Sequence, residues 1–168
     1  MVILYTSNTG FTRAYAELLG RAEKMKVYEL DSLPADREQE VLYMGPLMAG
    51  CIQGADQALK RFAVKAVCGV GMSPPGPQIL STLSKVNYVP NAPIFYLQGG
   101  WAPKKVGWFK RRMVNAATKS KREALVAKGS RRTAQEQAQL DFLLKGGDCV
   151  AYQNLGTIRG WLKEQKEG

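Results

Sequence analysis

The 168-residue chain contains no histidine. That absence excludes Ser-His-Asp hydrolysis, Cys-His nucleophilic chemistry and histidine-ligated metal centres. Cysteine is scarce as well. Cys51, Cys68 and Cys149 are odd in number and form no Cys-x-x-Cys pair, which argues for reduced thiols in an intracellular compartment and against disulfide staples or structural zinc. No apolar run approaches the roughly 18 residues of a membrane span, and a strand pattern starts almost at Met1, so no signal peptide is expected. The Gly-Lys-Ser/Thr of an ATPase loop and the three-glycine spacing of dinucleotide sites are both missing. Acidic residues are in deficit, 14 against 24 lysines and arginines, for a net charge of +10. The length suits one compact domain with a core that needs no covalent staples.

What is present begins at Thr6, Ser7, Asn8, Thr9, Gly10, Phe11 and Thr12, between an apolar run at 2–5 and an amphipathic helix. Phe11, Ala14, Tyr15, Leu18, Leu19 and Ala22 recur at helical spacing, with Arg13, Glu17 and Arg21 elsewhere. Three threonines and a serine supply hydroxyls, Gly10 lets backbone approach a ligand, and the helix aims unpaired N–H groups at an anion. This is the pattern of a phosphate cradle. Ordinary N-capping also uses Ser, Thr and Asn, but a single cap does not need four hydroxyls.

Alternation of apolar runs with helix-like segments continues, as in a parallel sheet covered on both faces. Strands are expected at 26–30, 41–44, 66–72 and 93–97, and helices near 55–63 and 78–84. Residues 31–40 are charged, carry Pro34, and are too short for a crossover helix longer than a single turn. Pro46, Leu47, Met48, Ala49, Gly50, Cys51, Ile52, Gln53 and Gly54 read as the loop beyond the third strand. Ser73, Pro74, Pro75, Gly76 and Pro77 read as a rigid loop beyond the fourth. In an open parallel sheet, ligands bind outside the carboxyl ends of strands where the strand order reverses, so these three loops should share one crevice. Asn154 is placed to cap a last helix carrying Leu155, Ile158, Trp161 and Leu162 inward and Lys163 near its end.

The strand, Ser-Asn-Thr-Gly-x-Thr, helix arrangement at the N-terminus resembles the phosphate loop of the flavodoxin family. The resemblance implies an α/β three-layer sandwich, a five-stranded parallel sheet in the order 2-1-3-4-5, and FMN as cofactor. On it, the 6–12 loop would hold the phosphate, while Pro46, Leu47, Met48, Ala49, Gly50, Met72, Ser73, Pro74, Pro75 and Gly76 would line the ring. The family usually stacks an aromatic on the flavin from the second or third loop, and this sequence offers none in either. Met48, Cys51, Met72 and the prolines could pack there instead, with Trp101 reaching in; Met48 and Met72 equally suit strand-end core positions. A flavin would accept the electrons itself, so an oxidoreductase without histidine is chemically coherent.

The second feature is an insertion at about 100–149, before the last helix. Seven lysines and five arginines face Glu123, Glu136, Asp141 and Asp148 there, leaving +8 of the chain's +10 in this segment. An anionic partner follows. Val106, Phe109, Met113 and Ala116 or Ala117 lie at helical spacing, with Lys105, Arg111, Arg112 and Lys119 on other faces and Trp101 and Trp108 at the entry. Such a basic amphipathic helix can lie on an anionic membrane surface or pack on its own domain. Thr133-Ala134-Gln135-Glu136 is a capping box for a second helix that Gly146 would stop, and the charged 119–132 stretch between them is expected to be mobile.

A core interrupted in this way is similar to the flavodoxin-domain branch that includes menaquinone-dependent protoporphyrinogen dehydrogenases, over nearly the whole chain. There the insertion is associated with membrane and substrate. Lys104, Lys105, Arg111 and Arg112 could attract carboxylates, while Trp101, Trp108 and Phe109 offer apolar surface. The expectation is therefore an FMN-binding redox protein, an electron carrier or small flavoenzyme, with a redox partner or anionic substrate. It would be cytoplasmic, with peripheral contact on the inner face of the membrane. The alternative from another class is a non-redox basic module for nucleic acid or membrane lipid. Nucleic acid is the less favoured, because the aromatics cluster at one end of the insertion instead of interleaving with the cations.

Overall fold

A computed structural model describes residues 1–87 and 89–167. Contacts divide the chain into two compact units, one formed by 1–99 with 149–168 and the other by 100–148.

In the first unit, β1 (Val2–Tyr5) is followed by α1 (Phe11–Glu23), β2 (Val27–Glu29), β3 (Asp36–Met48), β4 (Cys51–Ile52), α2 (Ala55–Arg61), β5 (Phe62–Gly71), α3 (Pro77–Val86) and β6 (Ile94–Gln98). β1 pairs in parallel with both β2 and β3, β3 with β5, and β5 with β6. The sheet has six strands where five were expected, in the order β2-β1-β3-β5-β6, because the short β4 pairs antiparallel with β3 beside that path. It remains a mostly parallel sheet with helices on both faces.

The period-two alternation of the strands sorts the core into two halves. Ile3, Tyr5, Leu42, Met44, Ala66, Cys68 and Val70 point to one face, where Tyr15, Ala16 and Leu19 of α1 cover them together with Leu155, Ile158 and Leu162. The last two of these belong to the C-terminal helix at Gly156–Glu167. Leu4, Val41, Tyr43 and Val67 point to the other face, under Ala55 and Ala58 of α2 and Leu83 of α3.

The link from β2 to β3 carries no crossover helix, only a 3-10 turn at Leu30–Ser32. Leu30 of that turn is buried, and Arg61 fastens the segment by pairing with Asp31 at 3.3 Å and donating to the Leu33 carbonyl. β3 therefore begins at Asp36, earlier than the apolar pattern at 41–44 suggests, in residues too polar to be read as a strand.

Asn154 is not a helix cap. It sits in a 3-10 turn at Tyr152–Leu155, and its Nδ2 donates to the Tyr15 hydroxyl at 2.6 Å and the Cys149 carbonyl at 2.9 Å. Tyr15 Oη in turn lies 2.7 Å from the Gln98 carbonyl oxygen, and Cys149 N–H donates to the Gly99 carbonyl at 2.8 Å. These bonds tie together the two strands of chain between which the insertion leaves and returns.

The second unit holds β7 (Gly100–Trp101) paired antiparallel with β8 (Gly147–Asp148), and three helices, α4 (Trp108–Ala117), α5 (Lys119–Ala127) and α6 (Ala134–Lys145). The capping box at Thr133 forms: its side chain accepts from Glu136 N–H at 3.2 Å, and Glu136 accepts from Thr133 N–H at 3.0 Å. Gly146 at φ 88 ends α6, as the sequence indicates. The charged 119–132 stretch, which the sequence leaves without an assigned element, forms α5 followed by a 3-10 turn at Gly129–Arg131. Leu125 gives α5 a buried anchor that the surrounding charge obscures in the sequence.

Candidate functional site

The C-terminal ends of β1, β3 and β5 are neighbours on one edge of the sheet, since Tyr5 stands beside Met44 and Pro46 beside Val70. The strand order turns in opposite directions from β1, to β2 on one side and to β3 on the other, which is where α/β sheets bind ligands.

The first loop leaves β1 at Thr6, whose N–H donates to the Met44 carbonyl at 3.0 Å. Gly10, at φ 98, starts α1 in a left-handed conformation open to glycine, and a Cβ added there would meet no atom within 4 Å. Ser7 Oγ accepts the Gly10 N–H at 3.1 Å. α1 itself has no side-chain cap, its N-cap being Gly10. The first helical bond runs from Ala14 N–H to the Gly10 carbonyl at 2.9 Å, leaving the N–H groups of Phe11, Thr12 and Arg13 in the unpaired first turn. Thr12 as a residue is only 2% exposed, but its hydroxyl is not among the fully buried polar atoms left without a partner, which among the described residues are Arg122 Nε and Arg132 Nε of the insertion; Asn8 is exposed and Thr9 half-buried.

The second loop is mostly a hairpin. β3 runs to Met48, turns through Ala49 (φ 50) and Gly50 (φ 83), and returns as β4, with Gln53 N–H bonded to the Pro46 carbonyl at 3.0 Å. Leu47 lies against the β5 backbone, where a Cβ on Gly69 or Gly71 would approach it to 3.2 or 3.0 Å. It belongs with the core of that face, whereas Ala49 is exposed and Pro46, Met48 and Gly50 are half-buried. Gln53 Nε2 donates to Met48 Sδ at 3.7 Å.

In the third loop, Ser73, Pro74 and Pro75 are exposed, and Met72 and Gly76 half-buried. Tyr96 Oη donates to the Ser73 carbonyl at 2.6 Å and Gln98 Nε2 to the Met72 carbonyl at 3.2 Å, so β6 holds this loop from beneath. Burial raises the Tyr96 phenol above its usual range despite the hydrogen bond to Ser73.

Three polar residues that organise the site escape a reading of the sequence. Tyr43 falls in an apolar strand pattern and looks like core, yet its hydroxyl bridges Thr6 Oγ1 and the Gln53 carbonyl. Asn87 ends α3 and clamps the hairpin, and Tyr15 binds the insertion's stem. An Asn at a helix end is a visible cue; a Tyr inside an apolar strand is not.

In the insertion, none of the residues of α4 is buried. Trp108 and Phe109 are 64% and 66% exposed and Met113 47%. Arg112 stacks over the Trp108 ring at 5.9 Å, and the two aromatic rings meet edge to face at 6.1 Å. Lys104, Lys105, Arg111 and Arg112 are all exposed, while Trp101, in β7, is buried. Among the described residues no cluster of His, Cys, Asp and Glu could hold a metal ion, and no helix is long and apolar enough to cross a membrane.

Compared with known proteins, the chain matches no family model, no curated protein and no solved structure.

Proposed function

We propose that the chain is a flavodoxin-like, FMN-binding redox protein, an electron carrier or small flavoenzyme, whose partner is anionic or membrane-soluble. The observation that carries this reading is the open start of α1 at the carboxyl edge of the sheet, where Gly10 at φ 98 begins the helix without a side-chain cap, the first helical bond comes only at Ala14 N–H, and Thr9 and Thr12 lie on either side of Gly10. A phosphate would accept from Thr12 and Thr9 and from the N–H groups of the first turn, and the helix dipole favours its negative charge. The residues present fit FMN at its phosphate end. At the ring end, Met48, Ala49, Gly50, Met72 and the prolines of the third loop offer apolar, non-aromatic contact. When bound, the flavin supplies the electron chemistry; the chain's own residues bind, orient and shield it.

The test is a flavin absorbance spectrum of the purified protein after incubation with FMN and desalting, beside a Thr9→Ala variant. The parent should retain flavin, and Thr9→Ala should bind it more weakly by about 1.5 kcal/mol, the magnitude of one hydrogen bond to a charged group. A parent that takes up no FMN overturns the reading.

Peripheral membrane contact by the insertion is part of the same proposal. Trp108, Phe109 and Met113 are exposed on α4 beside Arg111 and Arg112, with Lys105 in the turn before the helix, a pairing of apolar and cationic groups that suits an anionic bilayer surface. Co-sedimentation should occur with vesicles of mixed phosphatidylcholine and phosphatidylglycerol, weaken without the anionic lipid, and fall again in Trp108→Ala/Phe109→Ala. Retention on RNA in place of vesicles would assign the surface to nucleic acid.

A further inference from the structure

Tyr43 is completely buried, and its phenol oxygen lies 2.9 Å from Thr6 Oγ1 and 2.6 Å from the Gln53 carbonyl oxygen. A phenol carries one proton and a carbonyl can only accept, so Tyr43 donates to Gln53 and the Thr6 hydroxyl donates to Tyr43. Thr6 therefore directs its only side-chain proton at Tyr43. Of the hydroxyls in the 6–12 loop, it alone is committed to the other strand.

The packing around this bond leaves it little freedom. A Cβ on Gly54 would sit 2.1 Å from Tyr43 Oη and 3.0 Å from Thr6 Oγ1, and Gly54 is held at φ 82. Glycine is required there on both counts. Gly54 in turn opens α2, with its carbonyl accepting from Ala58 N–H at 3.0 Å, while Gln53 closes the hairpin onto Pro46. One hydroxyl thus joins the start of the first loop, the end of the second, and the helix that follows.

We propose that Tyr43 is a positioning residue for the cofactor site, and that Thr6 is a strut between the two loops that makes no contact with phosphate. The inference rests on the FMN reading. A ligand with its phosphate in the first loop and its ring against the second feels the spacing of the two loops, whereas one that uses a single loop does not.

The experiment is a pair of titrations, with FMN and with riboflavin, on the wild type, Tyr43→Phe, Thr6→Val and the double variant, with far-UV circular dichroism to show that each is folded. Expected is a fall in FMN affinity of about tenfold in Tyr43→Phe, the scale of one lost hydrogen bond, with riboflavin affinity unchanged. Thr6→Val should fall by a similar factor, and the double variant should be no worse than either single one, the signature of two groups in one bond.

An unchanged FMN-to-riboflavin ratio in Tyr43→Phe overturns the positioning role, and multiplying effects in the double variant overturn the strut role of Thr6. A wild type that binds neither ligand overturns the FMN reading, and this inference with it. Should Tyr43→Phe not fold, Thr6→Val decides with inorganic phosphate followed by 31P NMR. A strut leaves phosphate binding at the wild-type level, because that ion occupies the first loop alone, whereas a direct contact loses it.

Discussion

Asn87 Oδ1 accepts the Ile52 N–H at 2.8 Å, binding the end of α3 to the hairpin of the second loop. Its Nδ2 donates to the Gly50 carbonyl at 2.8 Å and the Leu83 carbonyl at 3.0 Å, so one amide completes both the turn and the helix end. Ile52 is buried, and removing the acceptor would strand its N–H away from water. Asn87→Ala should destabilise the protein by about 2–3 kcal/mol, the cost of an unsatisfied buried donor plus the lost partners. Asn87→Asp keeps the Ile52 contact and should lie between. Urea unfolding monitored by tryptophan fluorescence checks both; a change within error for Asn87→Ala would mean that water replaces the clamp.

The turn that Asn87 supports has its own weak point. Ala49 and Gly50 both take positive φ, 50 and 83, in a two-residue connection between Met48 and Cys51, the geometry of a type I′ hairpin. Glycine suits the second position, whereas alanine at the first carries a left-handed cost of about 1–2 kcal/mol. Ala49→Asn should raise stability by about 0.5 kcal/mol, since Asn tolerates this region and the position is exposed. A lower urea midpoint would show that the strained alanine is matched to contacts of the hairpin that Asn disturbs.

Much of the core and little of the site's internal wiring could be read from residue order. Ile3, Leu42, Ala66 and Leu155 announce their burial through period-two or helical spacing. The capping box at Thr133 was legible because it is a local pattern, closed within four residues. The hairpin was not, because its turn residues, Ala and Gly, are a poor match for the Asn-Gly that marks such turns. Nor was the Thr6–Tyr43 bond, which spans 37 positions and depends on two parallel strands lying side by side. Local chemistry leaves its trace in short motifs, while a partner brought in by topology leaves none. The exposed apolar residues of α4 are the intermediate case: periodicity gives the apolar face of a helix but not whether protein or solvent lies opposite.

Thiol accessibility separates the two cysteines of the first unit's sheet. Cys51 is exposed beside the hairpin turn, whereas Cys68 is completely buried in β5, where burial pushes its thiol up. The thiolate is the reactive form, so Cys68 is protected twice, by access and by protonation. Native protein should react with a disulfide reagent at Cys51 within the mixing time of an unprotected thiol, and at Cys68 only as fast as the protein unfolds. Rapid labelling of Cys68, mapped by mass spectrometry, would show that β5 opens locally far more readily than its central place in the sheet allows.

Glu23 gives the fold an acid-sensitive joint between its first and last helices. Its carboxylate accepts from Arg159 Nε at 2.7 Å and lies 3.3 Å from Lys166 Nζ, with its own side chain 7% exposed. The Arg159 hydrogen bond holds the carboxyl below its ordinary 4.5 against the opposing effect of desolvation, and Lys166 adds to the lowering. A carboxyl lowered on folding contributes stability that is fully present above its unfolded value and is lost as pH falls through the folded one. The stability difference between wild type and Glu23→Gln should therefore be constant from neutral pH down to about 5 and shrink toward zero below about 4. Added salt should reduce the Lys166 share first, because that lysine is 58% exposed and Arg159 only 29%. Urea midpoints of both proteins across the acid range measure the gap. A gap that does not change with pH would assign the contribution of Glu23 to packing of its methylenes between the two helices, and the ion pair would then add nothing that protonation can remove.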